Sequence, residues 1–121
     1  MRPEEQDPAH LWDMRQAALD AVRILGDLDA EQFLSPAYET TRLAVERKLE
    51  IIGEAARRVS PGLRAAHPEI PWKDVIGLRN VITHQYDKVD YEVMFRVVRK
   101  RVPELLRQLA PLVPPPPEAG D

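Results

Sequence analysis

The chain has 121 residues, of which 44% are hydrophobic and 31% are charged, and its formal net charge is −3. This length holds one domain with a hydrophobic core and is too short for two. The net charge excludes a protein that coats nucleic acid through bulk positive charge, so any such contact must come from a local basic patch. The absence of cysteine excludes disulfides, thiol nucleophiles and cysteine-ligated metals, which fits a reducing compartment.

The chain has no apolar run of the roughly 18 residues that a membrane-spanning helix needs. Its first ten residues, MRPEEQDPAH, lack the apolar core of a signal peptide and the basic, acid-poor composition of a transit peptide. We therefore expect a soluble protein of the cytoplasm that does not use a membrane.

The first helix is predicted to begin at Asp7, where an N-cap residue is followed by Pro8 in the first helical position. It should end at Gly26. The apolar side chains that share one face of this helix are Leu11, Met14, Ala18, Val22 and Leu25.

A second helix is predicted over about residues 36 to 59, because Ser35-Pro36 repeats the start signal and Ser60-Pro61 stops the pattern. Its apolar face carries Val45, Leu49, Ile52, Ala56 and Val59. The prolines and glycine that follow, as far as Pro71, predict a connector.

Two further helices are predicted in the second half of the chain. The third should run from Pro71 to about Tyr86. The fourth should begin near Asp90 and contain a kink at Pro103. The apolar face of the fourth helix carries Met94, Val98, Leu105, Leu109 and Leu112.

Helical spacing thus recurs along the chain, without any sustained strand-like alternation. We predict an all-α fold, an up-and-down four-helix bundle formed by a single domain over residues 1–112. The proline-rich residues 113–121 are predicted to be an extended or disordered tail.

The stretch GLRNVITHQY, residues 77–86, is polar but nearly free of charge, with Arg79 as its formally charged residue. On a continuous helix the apolar residues would face the core, and a polar arc would carry Arg79, Asn80, Thr83, His84 and Tyr86. An ordinary solvated face would contain more Glu and Lys. This arc suits a partly buried cleft or a subunit contact that acts on a ligand, and equally a buried hydrogen-bonded seam without a ligand.

The same stretch resembles the signature of a known family. Arg79, His84 and Tyr86 have the Arg-x4-His-x-Tyr spacing of the HepT-like toxins, helical-bundle ribonucleases of the HEPN superfamily. The segments LEIIGEAARRVS (49–60) and HPEIPWKDVIGLRNVITHQY (67–86) are similar to the family pattern in the family's order. The resemblance therefore covers most of the chain and implies a HEPN-like bundle. It departs at Asp87, where the family often has an aromatic residue, and this added charge should lower affinity for RNA.

The resemblance implies the toxin of a type II toxin–antitoxin pair. Such a toxin is a metal-independent endoribonuclease that acts as a homodimer. Its partner is an antitoxin of the minimal nucleotidyltransferase (MNT) type, which transfers AMP to the tyrosine matching Tyr86. The residue types fit this chemistry, since His84 can exchange the 2′-hydroxyl proton, Arg79 can bind phosphate oxygens, and Asn80 can orient either group.

Structural roles also fit these residues. Arg79 could pair with Glu50 or Glu54 on the second helix, His84 could be a hydrogen-bonding histidine, and Tyr86 could be an aromatic at the edge of the core. Two other functions stay open: an interaction module that binds the nucleotidyltransferase without cleaving RNA, and a nucleotide-sensing module.

The fourth helix carries the most basic stretch of the chain. Arg96, Arg99 and Lys100 form a candidate track for RNA phosphates, although an ordinary solvated face has the same composition. The histidines have no metal-ligand spacing, and there is no glycine-rich phosphate loop. We expect no metal and no cofactor.

Overall fold

Residues 2–113 are described by a computed structural model, in which they form a helical bundle without β-strands. The all-α fold class is therefore confirmed. The predicted tail lies, from residue 114 onward, outside the described residues. The α-helices of the described range are α1 Asp7–Leu25, α2 Ala30–Leu34, α3 Glu39–Arg58, α4 Pro61–Ala66, α5 Trp72–Ile76, α6 Leu78–Ile82, α7 Tyr91–Arg96 and α8 Val102–Leu109.

Helices α1 and α3 are the two long helices, and they pack antiparallel. The start of α1 lies against the end of α3, where Asp7 contacts Ser60, and nearer the middle Asp20 pairs with Lys48 at 3.0 Å. The predicted first and second helices are thus confirmed. A short 3₁₀ segment, Pro36–Tyr38, precedes α3.

Asp7 does not act as the predicted N-cap. A 3₁₀ turn over Pro3–Gln6 leads into α1, and the carboxylate of Asp7 points to the other long helix. Its two oxygens accept the Ser60 backbone N–H at 2.7 Å and the Ser60 hydroxyl at 2.5 Å. Both residues are buried, so the paired hydrogen bonds satisfy polar groups that would otherwise be costly to bury.

Two short helices were not predicted. Helix α2 begins with a capping box, in which the Asp29 side chain and the Gln32 backbone N–H pair while the Gln32 side chain pairs with the Asp29 backbone. Helix α4 lies in the predicted connector and is capped by the Ser60 hydroxyl. The Ser60-Pro61 signal that was expected to end one helix therefore also starts the next.

The prediction of one continuous third helix from Pro71 to about Tyr86 is wrong. Gly77 separates α5 from α6, and α6 ends at Ile82. Thr83 is extended and forms a β-bridge with Val89. β-Branched residues at this point have low helix propensity, and the extended backbone finds its partners across the loop rather than along a helix.

The loop that follows α6, residues 83–89, is closed at its base by main-chain hydrogen bonds. The His84 N–H donates to the Lys88 carbonyl at 2.6 Å, and the Asp90 N–H donates to the Ile82 carbonyl at 2.6 Å. Tyr86 and Asp87 at the tip have positive φ angles of 61° and 59°. Non-glycine residues rarely adopt this left-handed conformation, so the loop holds a costly geometry at its tip.

The fourth predicted helix begins as expected, because the Asp90 carboxylate caps α7 by accepting the Glu92 and Val93 N–H groups. The distortion expected at Pro103 takes the form of a π-helical turn over Val97–Arg101, immediately before α8. Proline has no N–H to donate, and the wider turn accommodates its ring.

The core lies between α1, α3 and the consecutive helical segments from α7 to α8. Its largest fully buried side chains include Phe33, Met14, Leu25, Leu49, Ile52, Ile70, Ile82, Met94 and Leu109. Gly53 lets α3 approach α5 closely, since a Cβ atom there would lie 3.1 Å from the Ile76 carbonyl oxygen and 3.2 Å from that of Val75. This close approach brings α6, which follows α5, beside α3.

Candidate functional site

Arg79 lies on α6 beside α3, with 49% of its side chain exposed. One terminal nitrogen, Nη1, contacts Oε2 of Glu46 at 3.3 Å and Oε1 of Glu50 at 3.5 Å. The expected pairing with Glu50 is therefore present. Glu54 instead pairs with Arg47 at 3.5 Å. Both contacts of Arg79 use the same nitrogen, so among residues 2–113 its other donors have no partner and can serve a ligand.

Glu46 was not predicted as a site residue from the sequence. In the structure it connects Arg79 to α7. Its Oε1 accepts a hydrogen bond from the Tyr91 hydroxyl at 3.1 Å, while Oε2 faces Arg79. The Arg42 guanidinium lies over the Tyr91 ring at 5.4 Å from its centre. Burial, followed by the hydrogen bond to Glu46, raises the pKa of Tyr91. The sequence signal that could have identified Glu46 is its i, i+4 spacing from Glu50, which places the two carboxylates on one face of the helix.

Arg42 is itself held in place. Its Nη1 donates to the carbonyl oxygens of Phe33 at 2.6 Å and Ser35 at 2.7 Å, at the C-terminal end of α2. A network of side-chain contacts therefore links four helices. Arg42 of α3 binds the end of α2 and contacts Tyr91 of α7, and Glu46 of α3 joins Tyr91 to Arg79 of α6. The network fixes the surroundings of Arg79 through contacts on several elements.

His84 lies on the loop, not on a helix, and its side chain is exposed. Within the described part of the chain its imidazole makes no hydrogen bond. It borders a shallow depression that also involves Leu34, Lys88 and Tyr91. The hypothesis of a buried hydrogen-bonded seam is wrong for this histidine, and the imidazole is open to solvent and to a ligand.

Asn80 is exposed on α6, and across residues 2–113 its side-chain amide has no hydrogen-bond partner. Its main-chain carbonyl accepts the Thr83 hydroxyl at 3.3 Å. The prediction that Asn80 lies one helical turn from His84 assumed a continuous helix, so the end of α6 at Ile82 removes that argument. Its role in orienting His84 or phosphate stays a prediction.

Tyr86 lies at the tip of the loop and is 92% exposed. The helix-wheel argument that placed it one turn beyond Arg79 is wrong, because the helix ends four residues earlier. The expectation that its phenol is reachable is confirmed by this exposure. A core-edge role is thereby excluded.

The three basic residues expected on one RNA track point in different directions. Arg96 and Lys100 are exposed and line one groove of about 290 Å³ together with Val81 of α6. Arg99 instead donates to the Gly26 carbonyl at 2.7 Å and to the Leu28 carbonyl, and its guanidinium covers the Phe95 ring. Within the described residues Arg96 and Lys100 are exposed whereas Arg99 is bonded to main-chain carbonyls, so the predicted RNA track stays a prediction for the first two.

Residues 2–113 contain no cluster of three or more His, Asp or Glu side chains arranged to hold a metal ion. Over the same range, no helix combines the length and the apolar character required to cross a bilayer.

Residues 14–112 match the family described as Ribonuclease HepT-like. The chain is 36% identical over 101 residues to "Putative RNase MJ1380" of Methanocaldococcus jannaschii, an alignment that covers 84% of this chain and 91% of that protein. It is 40% identical over 96 residues to "Probable ribonuclease HepT" of Thermococcus cleftensis, covering 79% of this chain and 86% of that protein. No solved structure shows a significant match.

Proposed function

The chain belongs to the HepT-like ribonuclease family, and from this premise we propose that it is the toxin of a type II toxin–antitoxin pair. It cleaves RNA as a metal-independent endoribonuclease. An MNT-type nucleotidyltransferase antitoxin silences it by attaching AMP to Tyr86. The observation that carries this proposal is the shared exposure of Arg79 and His84, which stand on either side of the end of α6. Within residues 2–113 the imidazole of His84 has no partner, and Arg79 uses only Nη1 in its ion pairs.

In the proposed reaction the 2′-hydroxyl oxygen of RNA attacks the adjacent phosphorus as a base removes its proton. The bond from phosphorus to the 5′-oxygen breaks, and an acid protonates that oxygen. The products are a 2′,3′-cyclic phosphate and a 5′-hydroxyl. Histidine can take or give a proton near neutral pH, and His84 is accessible for this work.

Arg79 stabilises the charge that develops on the phosphorane. A guanidinium can donate two parallel hydrogen bonds to phosphate oxygens. Nη1 is held by Glu46 and Glu50, which leaves Nη2 and Nε for the substrate. Asn80, exposed on the same helix, supplies a further donor.

One chain supplies one His84, whereas the reaction uses a base and an acid. We therefore propose a homodimer in which two copies place their His84 loops at one cleft, so that one imidazole is the base and the other is the acid. Arg96 and Lys100, exposed on the neighbouring groove, bind RNA phosphates away from the scissile bond.

The test is RNA cleavage by the purified chain in EDTA. Arg79→Ala and His84→Ala should each reduce cleavage at least about 100-fold, by the loss of a charge stabiliser or a proton carrier. His10→Ala, a histidine of α1, is the matched control and should keep wild-type activity. Circular dichroism and melting temperature should stay close to wild type in all three.

Wild-type cleavage by either site variant would overturn the assignment. A chain that binds and accepts AMP from the nucleotidyltransferase, yet cleaves no RNA and causes no growth arrest, would support the alternative of an interaction or nucleotide-sensing module.

A further inference from the structure

Glu46 contacts the elements on both sides of the His84 loop. Its Oε2 lies 3.3 Å from Nη1 of Arg79 on α6, and its Oε1 accepts the Tyr91 hydroxyl of α7 at 3.1 Å. Helix α6 precedes the loop and α7 follows it, so a single carboxylate joins the two helices that flank the loop.

The carboxylate of Glu46 is well fixed. Only 17% of its side chain is exposed, and both of its oxygens have partners. The Tyr91 ring is covered by the Arg42 guanidinium, which is anchored on two main-chain carbonyls. A side chain with this little freedom can impose an orientation on Arg79 at low entropic cost.

Glu50, the second carboxylate on Arg79, is placed differently. It is 30% exposed, its distance to Arg79 is longer at 3.5 Å, and it also pairs with Arg47 at 3.3 Å. No hydrogen bond of Glu50 reaches α7 in the described residues. Glu50 therefore shares its charge between two arginines and lacks the second anchor of Glu46.

We propose that Glu46 is a positioning residue of the ribonuclease site, an inference that rests on the proposed function. By holding Nη1, it turns Nη2 and Nε of Arg79 toward the scissile phosphate, and through Tyr91 it fixes the separation between Arg79 and the His84 loop. Its effect reaches the reaction through Arg79, because it does not itself touch the phosphate.

A positioning role makes a different kinetic prediction from simple competition for Arg79. A carboxylate that only competed with RNA for the guanidinium would, once removed, lower KM and leave kcat unchanged. A carboxylate that orients the guanidinium for the transition state would, once removed, lower kcat with little change in KM.

The experiment measures kcat and KM for RNA cleavage by the full chain and four variants. Glu46→Ala should lower kcat about tenfold or more, with KM within about twofold of wild type. Glu46→Gln keeps the shape of the side chain and one acceptor oxygen, which can face Arg79 while the amide NH2 donates to the Tyr91 hydroxyl oxygen, and it should recover kcat to within about threefold of wild type. Tyr91→Phe, which removes the anchor from Oε1, should lower kcat severalfold.

The matched control is Glu54→Ala, the same truncation on the same helix at a residue that pairs with Arg47 and not with Arg79. It should keep the wild-type kcat. Melting temperatures show whether each variant is folded, and Tyr91→Phe tests the proposal even if Glu46→Ala unfolds.

An unchanged kcat in Glu46→Ala or in Tyr91→Phe, beside an inactive Arg79→Ala, would overturn the positioning role and leave the proposed function intact. A failure of Glu46→Gln to recover activity would also overturn it, because the role assigned here depends on geometry. A wild-type chain without cleavage activity would overturn both proposals.

Discussion

Arg99 on the π-helical turn donates to the main-chain carbonyl of Gly26, 73 residues earlier, at 2.7 Å. A second donor reaches the Leu28 carbonyl, so the guanidinium closes the C-terminal end of α1 and the start of the next connection. Carbonyls at a helix end lack partners within the helix, and a cation is favourable there. The basic stretch of the last helix therefore divides into one structural arginine and neighbours that face solvent.

Arg99→Ala should lower the free energy of unfolding by about 1 to 3 kcal/mol, because two carbonyls lose a charged donor. Arg96→Ala and Lys100→Ala should leave stability within about 0.5 kcal/mol of wild type. They should instead weaken RNA binding. Each should also make the slope of the logarithm of the binding constant against the logarithm of the salt concentration shallower by about one phosphate contact. Urea denaturation and RNA titrations over several salt concentrations measure the two effects. A stable Arg99→Ala protein with weakened RNA binding would contradict this division.

Tyr86→Phe should retain RNA cleavage and should no longer be silenced by the nucleotidyltransferase with ATP and Mg²⁺. The phenol is 92% exposed at the tip of the loop, so it can enter another enzyme's active site. The proposed mechanism assigns the proton transfers to His84 and gives the phenol no part in them. An attached AMP would add a negative charge and a bulky base beside the proposed RNA-binding surface. Intact-mass and peptide mass spectrometry locate the modification. Tyr38→Phe is the control, and AMP found on a residue other than Tyr86 would remove Tyr86 from the switch.

Asp7→Ala should reduce the free energy of unfolding by about 3 kcal/mol, since it leaves the buried Ser60 N–H and hydroxyl without their carboxylate. Asp13→Ala removes the same group from an exposed position on α1 and should cost no more than about 0.5 kcal/mol. Chemical denaturation of the two variants measures the difference. Equal stability of the two variants would show that the Asp7–Ser60 hydrogen bonds contribute little to the free energy of unfolding.

Gly53→Ala should destabilise the fold by about 1 to 3 kcal/mol through overpacking. The new methyl group would lie 3.1 Å and 3.2 Å from two main-chain carbonyl oxygens of α5, which cannot rotate away. Gly62→Ala is the control, because a Cβ there meets nothing within 4 Å. Because α5 leads into α6, RNA cleavage by Gly53→Ala should fall as Arg79 shifts. An unchanged melting temperature would show that α5 can move without cost.

Asp20 should contribute stability that is lost in acid. Its hydrogen bond with Lys48 lowers the pKa of the carboxyl below its usual value of 3.8, although burial acts in the opposite direction. The folded state therefore releases the proton more readily than the unfolded chain. The stabilisation is present above pH 3.8 and disappears as the pH falls below it. Asp20→Asn should cost about 0.5 to 1 kcal/mol near neutral pH and nothing at the acid limit. Stability measured at several pH values checks this, and a constant difference would contradict it.

The long helices could be predicted because proline start signals and an apolar face agreed along their length. The end of α6 could not be predicted from the same evidence, since the polar residues of 83–86 also fitted a helix wheel. What decides the local structure is pairing with Val89 and Asp90, which lies outside the helical window. Three β-branched residues, Val81, Ile82 and Thr83, were a signal for the break.

The candidate site was predicted as a set of residues, not as an arrangement. Arg79, His84 and Tyr86 follow from the resemblance, and all three are exposed. The partners of Arg79 could not be chosen among several glutamates of α3, because the choice depends on how closely α5 approaches α3 at Gly53. The i, i+4 spacing of Glu46 and Glu50 places both carboxylates on one face of α3, but their contacts with Arg79 and Tyr91 are tertiary and are not contained in that local pattern.

The base of the His84 loop is closed by hydrogen bonds between main-chain atoms and a β-bridge from Thr83 to Val89. Such a closure uses main-chain atoms and no side-chain atom. The side chains of Gln85 and Lys88 can therefore be exchanged without loss of the hydrogen bonds that close the loop on which His84 lies. Under the proposed function, the surface that the loop presents to a nucleotidyltransferase can thus change while the backbone of His84 keeps its place.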